Sequence, residues 1–292
     1  MGTMKWIAAA LLGGLLAFGI VGCGSGSNDT TTMSLALTDA PLDDIENVKE
    51  VNVTITNIEY HVNGEWKTFD GFVGPQMFNL LDLREGNVTD LGSIELEGGH
   101  YTQIRFELDG DGTADSNCFI TYENNDTLPL FVPSGTYKAI GEYNVPINGD
   151  IALTVDFDVR KSVVKRGNSG HYNLKPTMRL IANQEAGGIR GYIDYSGDYN
   201  LTVYAYEDGN YTDSESNETT EGIRFPNAVT SVDVHTDGNF YLAFLAGSMN
   251  YDLVVVETNT SGYVDILGYI NDIPVDYDVI SNIGTATVEA TY

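Results

Sequence analysis

The sequence predicts an all-β protein built as two β-sandwich-like domains, and three observations carry this prediction. Apolar and polar residues alternate with period two along most of the chain after residue 33, which is typical of strands with one buried face. Turn-forming residues separate the runs: Asn63-Gly64, between Ile58–Val62 and Trp66–Phe69, predicts a two-residue hairpin. Helical periodicity is scarce, and short strands joined by regular turns indicate sandwiches or open barrels.

Three runs of the first half show the alternation most clearly. The residues expected to share a buried face are Val51, Val53 and Ile55; Ile104, Phe106 and Leu108; and Ile151, Leu153, Val155, Phe157 and Val159. Short helical turns are predicted only at Leu42–Val48, where Pro41 suits a first helical turn, and at Arg160–Val164.

A domain boundary is predicted near Asn183–Gly188, where the chain is polar and small. We therefore place the two domains at residues 33–183 and 188–292. The second domain is acidic, because residues 191–292 hold 17 acidic residues and a single basic one, Arg224. Its predicted strands are Ile189–Tyr195, Asn200–Tyr206, Ala228–His235, Phe240–Leu245, Tyr251–Glu257, Tyr263–Tyr269 and Gly284–Ala290. The polar stretch between Glu207 and Glu221 is expected to be a mobile loop.

The first 22 residues have the pattern of an export signal. A single positive charge, Lys5, precedes the apolar stretch Trp6–Val21, which is shorter than the ~20 residues that a transmembrane helix needs. The stretch ends in Ile20-Val21-Gly22-Cys23. This ending resembles the bacterial lipobox, in which aliphatic and small residues precede a cysteine. An uncleaved anchor helix and an ordinary signal with a chance cysteine remain the alternatives.

The lipobox resemblance implies cleavage after Gly22, diacylglyceryl transfer to the Cys23 thiol and acylation of the new amine. The signal peptide is then residues 1–22, and the lipidated cysteine and a flexible polar tether span residues 23–32. Several acyl chains, at ~0.8 kcal/mol per buried CH₂ group, anchor a protein stably. The protein is therefore expected in the bacterial cell envelope. By analogy with enteric bacteria, Gly24 in place of Asp favours the outer membrane over the inner one.

Composition limits the partners. The formal net charge of −28 disfavours nucleic acid and anionic lipid surfaces, and it is compatible with cation binding or with simple solubility. Charged residues make up only 19% of the chain and are mixed with apolar ones, so this is not a disordered acidic tail. Cys118 is the second of two cysteines. With Cys23 lipidated it has no internal disulfide partner, and its strand-like surroundings favour a small buried hydrophobe over a reactive thiol.

Six segments of the first domain occur in the order Leu37–Pro41, Phe78–Leu83, Gly99–Arg105, Val132–Gly135, Asp156–Ser162 and Leu174–Leu180. In sequence and order they resemble the bacterial lipoprotein family catalogued as domain of unknown function 4382. The resemblance covers residues 33–181 and implies an exported β-domain without a known activity. The charged hairpin Asp109–Asn117 departs from the family pattern.

Residues 188–292 show a looser resemblance. Its pieces are Ile189–Ile193, Thr202–Tyr206, Thr236–Leu242 and Leu245–Leu253. They are similar to the transthyretin-like, carboxypeptidase-regulatory or carbohydrate-binding-like sandwich. This resemblance implies an accessory module: some members bind sugars, and many only support a neighbouring domain.

The strongest metal-site candidate lies in Asp109-Gly-Asp-Gly-Thr-Ala-Asp115. Its acidic residues alternate with small ones, as in calcium loops, so Asp109, Asp111 and Asp115 are candidate calcium ligands. However, the sixth position is Ala114 and the twelfth is Ile120, where such loops carry Gly and Glu. Turn chemistry alone already predicts an acidic hairpin tip here, and no cofactor other than calcium is expected.

Two charged groups have both a structural and a functional interpretation. Asp39 is expected to cap the turn after Pro41, and metal binding together with Asp43, Asp44 and Glu46 is the alternative. The basic segment consists of Arg160, Lys161, Lys165, Arg166, Lys175, Arg179 and Arg190. Internal pairing with Asp156, Asp158 and the acidic second domain is favoured there. Reception of an anionic partner is the alternative.

The sequence gives little reason to expect an enzyme, and no catalytic residue is assigned. The four histidines are scattered, and no phosphate loop or dinucleotide fingerprint is present. The expected function is a membrane-anchored, non-enzymatic binding or structural module of the envelope, with polysaccharide or another envelope protein as partner. Polysaccharide recognition and calcium-dependent adhesion or assembly are the alternatives. The tyrosines that could stack on sugars, or pack across strands, are Tyr192, Tyr195, Tyr199, Tyr204, Tyr206 and Tyr211.

Overall fold

The computed structural model describes residues 30–40, 47–146, 149–197, 200–259 and 263–288. The predicted signal peptide, Cys23, most of the tether and most of the helical turn predicted at Leu42–Val48 lie outside the described residues, as do Asp43, Asp44, Glu46 and Tyr199. In the part of the chain that is described, no helix has the length and apolar character needed to span a membrane. The architecture is nearly all β, as the sequence predicts.

The first half, residues 30–182, contributes thirteen strands to one continuous sheet. The strands are β1 (Thr30–Thr38), β2 (Val48–Val62), β3 (Glu65–Thr68), β4 (Gln76–Asn79), β5 (Thr89–Glu97), β6 (Gly99–Leu108), β7 (Phe119–Tyr122), β8 (Thr127–Phe131), β9 (Thr136–Val145), β10 (Ile151–Asp156), β11 (Val163–Lys165), β12 (Tyr172–Leu174) and β13 (Arg179–Ala182). One short helix, α1 (Val159–Ser162), follows β10, and single 3₁₀ turns lie at Leu80–Leu83 and Asn183–Glu185.

The sheet encloses one apolar core. Its order is β11-β12-β8-β7-β2-β6-β9-β13-β10-β1-β5, with β3 and β4 also paired to β2. The buried side chains of β1, β2, β6 and β10 belong to the same cluster. Because β1 and β10 are parallel neighbours, with Thr38 opposite Asp156, their carboxyl ends lie at the same edge of the sheet.

The second half forms two smaller sheets around its own core. Its strands are β14 (Ala186–Asp194), β15 (Asn200–Glu207), β16 (Thr230–Asp233), β17 (Asn239–Ala246), β18 (Met249–Thr258), β19 (Val264–Val275) and β20 (Ile280–Thr287). The sheet orders are β17-β14-β20 and β16-β15-β18-β19. All seven strands predicted for this half are present, with shifted ends.

Several local predictions are confirmed. Asn63 and Gly64 both take positive φ and join β2 to β3, as the hairpin requires. The helical turn predicted at Arg160–Val164 is α1, which starts one residue earlier. One boundary differs: β1 begins at Thr30, inside the predicted tether, because its first residues pair with β5.

The stretch between Glu207 and Glu221 is mostly exposed, but one of its residues packs into the fold. It contains a 3₁₀ turn, Asp213–Ser216, and the carboxylate of Glu215 is buried. That carboxylate accepts hydrogen bonds from the Tyr206 hydroxyl (3.0 Å) and the Asn227 N–H (3.0 Å). A buried, hydrogen-bonded carboxylate fixes the stretch to the fold. This contact attaches the stretch at Glu215, and the expectation of a mobile loop stays a prediction for the exposed residues around it.

Cys118 is fully buried just before β7. Burial raises the pKa of its thiol to about 11, so the reactive thiolate is scarce near neutral pH. The interpretation of Cys118 as a small buried hydrophobe is confirmed.

Close packing around Cys118 gives a test of the first core. A Cβ added at Gly110 would lie 2.3 Å from Val132 Cγ2 and 3.0 Å from Cys118 Cβ. Gly110→Ala is therefore expected to lower the free energy of unfolding by about 1–3 kcal/mol in urea denaturation. Gly99→Ala is the matched control, since its Cβ would meet Tyr101 at an ordinary 3.7 Å. Equal urea midpoints for the two variants would contradict this packing.

Candidate functional site at the seam between the two halves

Four of the six segments that carry the family resemblance meet at one edge of the first half. They are Leu37–Pro41, of which residues 37–40 are described, Phe78–Leu83, Asp156–Ser162 and Leu174–Leu180. Strands β16 and β17 and the chain between β15 and β16 cover this edge. We call this contact the seam. Its ionisable side chains from the first half are Asp39, Asp156, Asp158, Arg160, Lys161 and Arg179.

Asp39 joins three of these segments. Its N–H donates to the Leu83 carbonyl (3.1 Å), and its Oδ1 accepts the N–H of Val159 (2.9 Å), the first residue of α1. Asp39 thus accepts a hydrogen bond at the start of a helix 120 residues away. The turn after Pro41 lies outside the described residues, so the expectation that Asp39 caps it stays a prediction. The parallel pairing of β1 and β10 carries Asp39 to the start of α1 as well.

Arg160 is the most deeply buried basic residue of the seam, with 1% of its surface exposed. One terminal nitrogen donates to Asp158 Oδ2 (3.2 Å), and the other donates to the carbonyls of Phe225 (2.7 Å) and Arg224 (3.2 Å). Its guanidinium carbon lies 5.2 Å from the centre of the Tyr204 ring, within cation–π distance. The side chain therefore connects α1 to the second half through charge-assisted hydrogen bonds.

Two more basic residues cross the seam. Lys161 donates from Nζ to the Ala228 carbonyl and lies 3.3 Å from Asp158 Oδ2. Arg179 pairs with Asp156 and donates to the Phe244 carbonyl at 3.4 Å. Burial lowers the pKa of Lys161, although the charge of Asp158 opposes the shift. Each of these cations thus contacts one carboxylate of the first half and one carbonyl of the second.

The backbone of the second half is unusual where it receives the arginines. Phe225 and Phe244, whose carbonyls accept from Arg160 and Arg179, have φ of 50° and 54°. A bulky residue in this left-handed region costs on the order of 1–3 kcal/mol. Surrounding contacts hold Phe225 in this conformation, including the Tyr204 ring at 4.2 Å between ring centres.

Exposed ion pairs extend the seam. Lys165 pairs with Glu218, Lys175 with Glu221, Arg84 with Asp233, and Glu85 with His235 when that imidazole is protonated. Exposed pairs of this kind are worth only ~0–1 kcal/mol each. Two of them, those of Lys165 and Lys175, belong to the basic segment and pair with acids of the second half, as the favoured interpretation predicted for this segment.

The carboxyl group of Asp39 has a strongly shifted pKa. Burial raises the pKa of its carboxyl well above the usual range, and the nearby charges of Asp156 and Asp158 raise it further. The hydrogen bond from the Val159 N–H acts in the opposite direction. The site therefore disfavours a bare negative charge on this carboxylate.

The calcium candidates of the first half remain a prediction. Asp111 Oδ1 accepts hydrogen bonds from the Thr113 N–H (2.9 Å) and hydroxyl (2.8 Å), which lower the pKa of the Asp111 carboxyl. Asp109 Oδ2 accepts from the Asn117 side-chain amide (2.8 Å). Asp115 lies in the same exposed turn. These bonds are those of a hairpin tip, and they leave both Asp109 and Asp111 with a second carboxylate oxygen.

Sequence reasoning missed a second acidic group. Carboxylate oxygens of Asp208, Asp252 and Asp272 lie within 4.8 Å of one another. The sequence separates these residues by up to 64 positions, and only the β15–β18 and β18–β19 pairings bring them together. Asp252 already accepts the N–H groups of Gly209 and Asp272. Exposed acidic groups are common without an ion, so this group by itself assigns no ligand.

Comparison with known proteins identifies the first half. Residues 30–176 match the model of the family described as "Domain of unknown function (DUF4382)". No curated protein matches the chain.

Comparison with solved structures gives only weak similarity. The chain is 10% identical to the shaft pilin SpaA of Lactobacillus rhamnosus GG, with a TM-score of 0.23 over 90% of this chain and 98% of that one. A candidate cell adhesion protein of Bacteroides fragilis gives 10% identity and a TM-score of 0.21, over 89% and 96%. A candidate adhesin of Bacteroides ovatus gives 12% and 0.20, over 89% and 93%.

The seam gives a direct stability test. Arg160→Met removes one charged donor from buried Asp158 and from the Phe225 carbonyl, which keep the donors Lys161 and Ala228. We therefore expect a loss of about 1.5–3 kcal/mol in the free energy of unfolding. Arg166→Met is the control, because Arg166 is exposed and the change should stay within about 0.5 kcal/mol. Urea denaturation measures both variants, and a loss no larger for Arg160→Met than for its control would refute the role of Arg160.

Proposed function

Because the chain belongs to the DUF4382 family, we propose that it is a non-enzymatic envelope protein that is anchored by lipid on Cys23 and displays a single β body made of both halves. The seam is the observation that carries this proposal. Its basic side chains join the halves through Asp158, Phe225 and Ala228. Five of the seven residues of the basic segment contact the second half, which supports a structural role for most of that segment: Arg160, Lys161, Lys165, Lys175 and Arg179.

The lipobox supports the anchor. β1 begins at Thr30, seven residues after Cys23, and an extended chain of that length spans at most about 25 Å. The first half therefore lies close to the membrane, and the β body faces the periplasm or the cell surface. The Gly at position 24 supports the outer membrane.

A fractionation experiment tests the anchor. Full-length Cys23→Ala produced in a bacterial host is expected to leave the membrane fraction and to lose label from a radioactive fatty acid, because the acceptor thiol is gone. Cys118→Ala is the matched control, since this buried thiol should not affect either measurement. Membrane retention with labelling in Cys23→Ala would rule out lipidation at this residue.

The exposed tyrosines support polysaccharide or another envelope protein as the partner. Tyr204 and Tyr206 are buried at 3% and 0% exposure, so they pack within the fold and cannot stack on a sugar. At least half of the surface of three other tyrosines is exposed: Tyr263 (67%), Tyr269 (50%) and Tyr277 (55%). They offer amphipathic rings at the protein surface. A partner of either kind would use these rings.

Calcium-dependent adhesion or assembly is the second candidate, supported by the free carboxylate oxygens of the Asp109–Asp115 turn. Calcium is expected to raise the thermal unfolding midpoint of the wild type, and a chelator to reverse the rise, because a ligand that binds only the fold stabilises it. The double variant Asp109→Asn/Asp111→Asn should lose the effect. Asp126→Asn, in another exposed acidic turn, should keep it. An identical midpoint with calcium and with chelator in the wild type would exclude this candidate.

A further inference from the structure

Three buried side-chain oxygen atoms at the seam make no hydrogen bond among the described residues. They are Asp39 Oδ2, Asp156 Oδ1 and Ser231 Oγ. Their residues are 6%, 2% and 4% exposed. All three residues line one cavity of about 20 Å³ between the carboxyl ends of β1 and β10 and the strands β16 and β17. Buried polar atoms are rarely left without a partner, and a space of this size accommodates one water molecule or one small ion.

The two carboxylates are held in place by their other oxygens. Asp39 Oδ1 accepts the Val159 N–H at 2.9 Å, and Asp156 Oδ2 accepts the Arg179 guanidinium. These contacts therefore also hold the second oxygen of each carboxylate, Asp39 Oδ2 and Asp156 Oδ1, in a defined position. Preorganised ligands of this kind are what a binding site needs.

The charges around the cavity do not balance. Asp156 pairs with Arg179, and Asp158 pairs with Arg160 and Lys161. Asp39 takes part in no salt bridge of the described residues, although it lies near both other acids. An isolated buried carboxylate costs far more free energy than a paired one. One positive charge beside Asp39 would remove that cost.

We propose that this cavity binds one hard, oxygen-ligated cation, with Asp39 Oδ2, Asp156 Oδ1 and Ser231 Oγ as its side-chain ligands. Carboxylate and hydroxyl oxygens are the donors that Ca²⁺ and ions of similar hardness prefer. Asp39 and Asp156 come from the first half and Ser231 from the second, so the bound ion joins the two halves. Exposed Glu85 also lines the cavity and gives the ion a route from solvent.

The site is separate from the Asp109–Asp115 turn and does not depend on the proposed anchor. It also differs from the metal alternative considered for Asp39 in the sequence, because its partners are Asp156 and Ser231, far away in the chain. Calcium and sodium satisfy the same oxygen chemistry, and the experiment separates them.

Thermal unfolding of the full-length protein in detergent tests the proposal. The protein is treated with chelator and transferred to choline chloride, and calcium chloride or sodium chloride is then titrated at constant ionic strength. We expect one of these ions to raise the midpoint of the wild type by roughly 3–8 °C at saturation. Asp39→Asn and Ser231→Ala should each need at least about tenfold more ion for half of that rise. Asp126→Asn, in an exposed turn outside the seam, is the control and should behave as the wild type.

Each outcome of this experiment either supports or overturns the cation site. A rise with calcium or with sodium that both seam variants weaken supports the site and identifies its ion. No rise with either ion overturns the proposal, and greater stability of Asp39→Asn at neutral pH would then indicate a proton on Asp39 instead. A rise that persists unchanged in both seam variants places the ion elsewhere and also overturns it. If Asp39→Asn does not fold, Ser231→Ala decides alone, because it removes only a hydroxyl.

Discussion

The structure depends on a buried positive charge, the guanidinium of Arg160, at the contact between two sets of sheets. Burying such a charge is unfavourable unless it is paired and fully hydrogen-bonded. Here Asp158 supplies the opposite charge, and two carbonyls of the second half accept hydrogen bonds from the guanidinium. Neither half alone provides all of these partners. The docked arrangement of the halves is therefore the one in which this charge is satisfied.

The first half prepares this contact through one topological feature. Parallel pairing of β1 with β10 ends both strands at the same edge, so Asp39 reaches the start of α1 and fixes the short helix that carries Arg160 and Lys161. In the second half, the carbonyls of Phe225 and Phe244 accept hydrogen bonds from the arginines, and both residues have strained backbone conformations. The uneven distribution of charge follows the same geometry. Acidic residues of the second half, such as Glu218 and Glu221, lie against the basic segment.

Much of the fold could be predicted from sequence, because local rules decide it. The Asn63-Gly64 hairpin needs only two residues that accept positive φ, and the inward face of β10 follows from alternation, since Ile151, Leu153 and Val155 are all buried. The opposite face of β10 shows the limit. Thr154 and Asp156 alternate as solvent-facing residues do, yet they are 0% and 2% exposed. Asn183 accepts from the Thr154 hydroxyl, and Arg179 covers Asp156.

The seam itself was outside the reach of sequence reasoning for related reasons. Asp39 contacts a helix start 120 residues away, and its local neighbours in the sequence gave no sign of that contact. Nothing in the residue types of Phe225 or Phe244 indicates positive φ, which bulky residues rarely adopt. The internal use of the basic segment could be anticipated, because a chain with a net charge of −28 offers acidic partners everywhere. The sequence could not show which acidic residues would pair with these basic ones.

The direction of β1 connects the seam to the proposed anchor. The strand starts at Thr30, on the side of Cys23, and ends at Thr38, beside Asp39. Nine residues at about 3.3 Å each separate these ends by roughly 25–30 Å. With Cys23 lipidated, β1 runs from the tether to the seam, and the second half meets the first at the end of β1 that is farther from the lipid along the chain. The charged side chains of the seam are then the contact through which the acidic second half is held.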